Sequence, residues 1–216
     1  KRILHIGLPA GVQGAVFAVS NIVIQSAINS LGTVVMAASS AAFNIEVFTY
    51  DMLNSFAQAC TTFVGQNFGA GELKHCKRTL ALCLLEGIVV LAVAVPVFLS
   101  FGRTLLSIFN RDPEVIAAGY IRLVIVMLSH TFSLLYEVLS GYLRGFGISV
   151  VPAALTMRGV CGIRIAWIKL VFPQFQTFRS IMLVYPISLC TTALLLFAAL
   201  AYYRPAKKLA RIEKEK

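Results

Sequence analysis

Charge is scarce in this sequence. Only 13% of its 216 residues are charged, and acid is scarcer than base: nine Asp and Glu stand against 19 Lys and Arg. A soluble domain carries about a quarter charged residues. Here 58% of residues are hydrophobic and the mean hydropathy is +0.83, so the expected solvent for much of the surface is lipid. The five cysteines, Cys60, Cys76, Cys83, Cys161 and Cys190, lack CxxC spacing. They read as small apolar fillers, which argues against a metal centre or a disulfide framework. His5, His75 and His130 form no HExxH cluster. Gly65, Gly69 and Gly71 fit neither GxxxxGK[ST] nor GxGxxG, and no strand precedes them, so a nucleotide loop is not indicated. No nucleophile, metal or cofactor constellation supports an enzyme. The net charge of +10 raises nucleic acid as a partner, but the bases lie between apolar runs and not along one face, which argues against it.

What the chain has is long apolar runs. A membrane-crossing helix needs about 20 mostly apolar residues, and six segments qualify, roughly 3–29, 34–64, 79–101, 115–143, 150–171 and 178–203. The expected fold is an all-α integral membrane bundle of six spans over 1–203, followed by a basic tail over 204–216. Asn29 to Gly32, Gly65 to Gly71, Gly102, Asn110, Pro113, Gly145 to Gly147, Pro152 and Pro173 supply the breaks. Pro9, Pro96 and Pro186 lie inside spans, where they can kink a helix. Segment 103–113 reads as a short amphipathic piece at the membrane surface. Lys1-Arg2 before an apolar run resembles a secretory signal, but the run is too long and holds Asn21 and Gln25. With no initiator Met, the sequence reads as beginning inside a longer protein.

Six spans put both ends of this segment on one side. That side carries Lys1, Arg2, Lys74, Lys77, Arg78, Arg144, Arg204, Lys207, Lys208, Arg211, Lys214 and Lys216. Arg103, Arg111, Arg179 and Lys169 fall on the other. The excess makes the termini cytoplasmic, in a plasma or inner membrane.

Ionisable groups within spans are costly and usually face protein or water. On the second span Asn44, Asp51 and Gln58 recur at seven-residue spacing, with Asn54 and Ser55 beside them and Glu46 and Tyr50 as an adjoining ridge. Such a face either lines a cavity that binds a cation or cationic substrate, or packs against neighbouring helices. Asn21 and Gln25 on the first span either coordinate a cation or substrate, or join two helices. On the fourth span His130, Ser133 and Glu137 share a face. A histidine near a carboxylate can pass a proton; the alternative is two satisfied bundle residues. The fifth span embeds Arg158 and Arg164 as structural charges. Equal distance from a hairpin centre near Gly147 predicts a Glu137–Arg158 salt bridge and sets His130 level with Arg164. Glu86 reads as a snorkelling structural carboxylate. The Gly141 and Gly145 pair permits close helix approach.

Four stretches carry a family resemblance: Gly7-Leu8-Pro9-Ala10-Gly11, Val64-Gly65-Gln66-Asn67-Phe68-Gly69-Ala70-Gly71, Leu143-Arg144-Gly145-Phe146-Gly147 with Pro152, and Arg164-Ile165-Ala166-Trp167 with Tyr185-Pro186-Ile187-Ser188. Together they resemble the C-terminal half of a multidrug and toxic compound extrusion (MATE) transporter. The resemblance implies one six-helix lobe of a pseudo-symmetric twelve-helix antiporter. Such an antiporter exports drugs or other organic cations in exchange for H⁺ or Na⁺, with no cofactor. It also implies an N-terminal lobe as partner, beside the bilayer and small-molecule substrates, with rocking of the lobes to alternate access. Many relatives carry an acidic residue in the seventh helix, where only Asn21 and Gln25 are on offer here, and another in the tenth, where this chain has Ser133. A lipid-linked precursor flippase of the same superfamily and a non-transporting membrane scaffold are the rival readings.

Overall fold

A computed structural model describes residues 2–205, with side chains from residue 11 onward. Lys1, tail residues 206–216 and the side chains of Arg2, His5 and Pro9 lie outside the described residues. So do the topological roles expected of Lys207, Lys208, Arg211, Lys214 and Lys216.

The described chain is helical almost throughout: α1 (Arg2–Asn29), α2 (Thr33–Gly69), α3 (Leu73–Ser100), α4 (Gly102–Phe109), α5 (Pro113–Gly145), α6 (Val150–Leu170) and α7 (Phe178–Tyr203). The links are short. Gly32, Gly71 and Gly147 make three of them with φ of 100°, 79° and 80°, a conformation open to residues without a Cβ. The Gly65 to Gly71 break expected from the sequence is smaller than that: α2 runs on through Gly69 and only Gly71 leaves the helix. Gly65 and Gly69 continue the hydrogen-bonded ladder because glycine lowers helix propensity without forbidding it. At the start of α5, Asp112 accepts a hydrogen bond from the Glu114 amide at 2.9 Å and Pro113 takes the first helical position.

α5 is the central helix, packed along α2, α3 and α7. Where it crosses α2 it has no side chains: a Cβ on Gly141 would sit 2.5 Å from the Ala57 carbonyl, and one on Gly145 2.6 Å from Val64 Cγ1. This is the close approach the glycine pair predicts. Around it, Leu53, Ala57, Cys60 and Val64 of α2, Cys76, Cys83 and Leu91 of α3, and Leu134, Val138 and Tyr142 of α5 form one buried cluster. A second joins Leu139 and Leu143 of α5 to Val160 of α6 and Leu189 and Leu196 of α7. Ile24 and Ile28 of α1 pack on Ile181, Met182 and Val184 of α7. The short α4 seats Leu106 against Ala42, Ile45, Leu123 and Met127, while Ile108 and Phe109 stay exposed.

Among the described residues five helices are long and apolar enough to cross a membrane, corresponding to α1, α3, α5, α6 and α7. The longest helix, α2 at 37 residues, is not one of them, although its run of 34–64 is among the six spans expected from the sequence. Its polar residues dilute its hydropathy. They fall on two faces, with Asn44, Asp51 and Gln58 exposed and Ser39, Glu46 and Thr49 buried against the bundle.

α6 is not a uniform helix. Residues Met157–Gly162 form a π-helical turn between two α-helical pieces. Gly159 in that turn lies against Thr192 of α7 so closely that any side chain would collide with it. Such widened turns shift the phase of everything after them and recur at functional sites.

Candidate functional site

On α2 the polar residues divide into two sets. Ser40, Asn44, Asp51, Ser55, Gln58 and Thr62 are all exposed. At 3.6 residues per turn they fall within an arc of about 60°. Asn44 donates to the Ser40 carbonyl at 3.0 Å and Ser55 to the Asp51 carbonyl at 2.9 Å, so both are tied to their own helix. The Asp51 carboxylate has no hydrogen bond or ion pair among the described residues. Phe43, Phe48, Met52 and Phe63 flank the stripe, also exposed.

Glu46 and Tyr50 do not adjoin this stripe. Each residue advances a helix by about 100°, so Glu46 lies roughly opposite Asn44. Both turn inward to α5. Glu46, 4% exposed, accepts from Arg122 Nε at 2.8 Å and from Nη2 at 2.9 Å, while Arg122 Nη1 donates to Ser39 Oγ at 2.6 Å. Arg122 is also 4% exposed. A bidentate, fully enclosed pair of this kind neutralises Glu46 as an isolated cation ligand in this conformation. Arg122 is the residue that sequence reasoning missed. The available signal was a lone cation in the apolar run Ile121-Arg122-Leu123-Val124, which is suspect on cost alone.

Glu137 is also engaged. It accepts from Tyr136 at 2.8 Å and Tyr50 at 3.1 Å, and Arg144, two turns further along α5, comes within 3.9 Å. The expected Glu137–Arg158 bridge is absent; Arg158 is exposed on α6 and pairs with no described residue. Hairpin symmetry sets depth but not direction around a helix, and the π turn that contains Arg158 changes that direction. Ser133 and His130 are buried on the same side of α5, and neither ring nitrogen of His130 has a hydrogen-bond partner.

At the opposite edge Asn21 and Gln25 are exposed on α1. Gln25 donates to Asn29 at 2.8 Å. Asn21 accepts from Arg164 Nη1 at 3.4 Å, and Arg164 Nε donates to Ser188 at 3.3 Å. The Tyr185 ring lies between the two buried arginines, 4.6 Å from the Arg164 guanidinium and 5.6 Å from that of Arg122. Glu86 is exposed on α3.

The arrangement presents a polar, acid-bearing stripe on one face of α2 and, behind it, the paired charges Glu46–Arg122 and Glu137–Arg144. A stripe of this kind is costly against lipid and fits water or another protein surface.

The sequence profile of the family described as MatE matches residues 9–168. A probable multidrug resistance protein NorM of Chromobacterium violaceum is 28% identical over 149 residues, covering 69% of this chain and 32% of the relative. A protein of the same description from Thermotoga maritima is 24% identical over 177 residues, covering 82% and 38%. The chain thus spans about a third of the length of these relatives. A solved structure of MATE in complex with MaL6 matches with a TM-score of 0.85 at 15% identity, over 97% of this chain and 47% of that one. At that identity the likeness is one of fold.

Proposed function

This chain belongs to the MatE family, and we propose that it forms the C-terminal lobe of a cation-coupled antiporter that exports drugs or other organic cations. The observation that carries the reading is the exposed stripe of α2, with Asp51 at its centre, on a lobe whose other long helices are apolar enough for lipid. Its partner is the N-terminal six-helix lobe of the same protein, which would close a water-filled cavity over the stripe. Both ends of this segment lie in the cytoplasm, held there by the Lys74, Lys77 and Arg78 cluster after α2.

In this reading Asp51 takes the coupling ion, H⁺ or Na⁺, or the cationic centre of the substrate. Asn44, Gln58, Asn21 and Gln25 supply neutral hydrogen-bonding groups along the cavity wall. Export needs only that ion and substrate compete for the carboxylate, with affinities that differ between the inward-open and outward-open states. Glu46 and Glu137 serve differently: as long as their partners hold them, they keep α2 and α5 in register. The names of the multidrug resistance relatives support the substrate class.

The test is export from cells or inverted vesicles carrying the full-length protein. Asp51→Asn should abolish coupled efflux while leaving the protein in the membrane at normal abundance. Wild-type export by that variant would overturn the assignment. Efflux measured with and without Na⁺ identifies the coupling ion.

A further inference from the structure

Among the described residues two arginines are buried, Arg122 and Arg164. Arg122 is matched: a carboxylate meets it with two bonds of 2.8 and 2.9 Å and Ser39 takes a third N–H at 2.6 Å. Arg164 is only 6% exposed, yet its hydrogen-bond partners are the neutral oxygens of Ser188 and Asn21 at 3.3 and 3.4 Å. Those lengths lie beyond the usual N–H···O range of about 2.7–3.2 Å. The two ion pairs among the described residues engage Glu46 and Glu137, neither of them with Arg164. α6 itself carries Arg158, Arg164 and Lys169 and no acid. An uncompensated cation at this depth is costly, and such residues commonly mark a ligand or ion path.

The group is also held in place. The guanidinium carbon lies over the Tyr185 ring, 4.6 Å from its centroid, a cation–π contact that restricts where the group can move. The π turn of α6 sets the direction of Arg164, and the side-chain-free contact of Gly159 with Thr192 seats that turn against α7. Asn21, which takes one of the two long bonds, is exposed on α1, so the edge of the site reaches the open surface. A planar fork of donors, held against one ring and loosely met by neutral oxygens, fits a two-oxygen anion better than it fits its present partners.

We propose that Arg164, with Asn21 beside it, is an anchor for a carboxylate carried by the exported molecule, so that the lobe favours zwitterionic over purely cationic compounds. This deepens the export reading and rests on it for transport; binding is tested separately.

The probes are a carboxyl-bearing rhodamine and its methyl ester, which share a fluorophore and a cationic centre and differ in the carboxylate. Equilibrium binding to the full-length protein in phosphatidylcholine nanodiscs should favour the acid in wild type. Arg164→Gln should lower the acid-to-ester affinity ratio at least tenfold. Asn21→Asp keeps Arg164 and the shape of the site but supplies an internal carboxylate, and should lower the ratio as much. This second variant decides the matter if Arg164→Gln does not fold. A wild type that binds acid and ester alike overturns the anchor, whether Arg164 is only structural or is met by a lipid phosphate. An unchanged ratio in Asn21→Asp overturns it too. If the ratios behave as expected but vesicles export neither probe, the export reading fails and the anchor stands.

Discussion

Arg122 and Arg164 lie in one lobe, are buried to nearly the same degree and share the ring of Tyr185, but their partners differ in kind. Arg122 joins α5 to α2 through a carboxylate and a hydroxyl at short distances. Arg164 joins α6 to α7 and α1 through two long bonds to neutral oxygens. The first is a closed pair and belongs to the scaffold. The second leaves a charge whose demand the fold itself does not meet. Burial alone would have put both in one class; the chemistry of the acceptors separates them.

The largest expected effect tests the closed pair. Glu46→Ala leaves Arg122 buried without its counter-ion and should cost about 3–5 kcal/mol, read from denaturant titration of the purified protein in detergent. Combining Glu46→Leu with Arg122→Met should recover most of that loss, since a packed apolar pair avoids the desolvation cost. Arg164→Ala should cost less, about 1.5 kcal/mol, because it removes weak bonds and also removes an unmatched charge. Equal losses at the two sites would break the contrast. Tyr185→Leu takes the ring from both arginines and should cost about 1 kcal/mol; the same measurement in the Arg164→Ala background should show part of that cost already gone. Smallest is Ser188→Ala, about 0.5 kcal/mol by the same titration. A loss as large as that of Glu46→Ala would mean that Arg164 is held far more firmly than its distances imply.

The all-helical membrane fold was legible in the sequence because long apolar runs leave lipid as their solvent. The Gly141 and Gly145 contact was legible too, since a gap in side-chain volume at one-turn spacing has few other uses in a helix. The partners of the charges were not. From the sequence Glu46 and Tyr50 read as a ridge adjoining Asn44 and Asp51, although Glu46, two residues along the helix from Asn44, points to nearly the opposite side. Arg122 sits on a different helix from Glu46, and no local pattern joins them. Glu137 found Arg144 on its own helix, while symmetry of depth pointed to Arg158. Depth follows from counting residues; direction around the axis follows from packing, and a single widened turn resets it.

That turn in α6 has a consequence for how the protein can change over time. It accommodates one residue more than a regular helix would, so deleting one residue between Met157 and Gly162 restores regular winding without breaking the helix. Six residues of such a turn sweep about the same angle as five of a regular helix, so Arg164 would keep its bond to Asn21 and Trp167 its bond to the Ser180 carbonyl. One residue lost from the regular winding on either side would instead swing everything downstream by about 100°, so a one-codon change in length alters what this lobe presents only when it falls outside the widened turn.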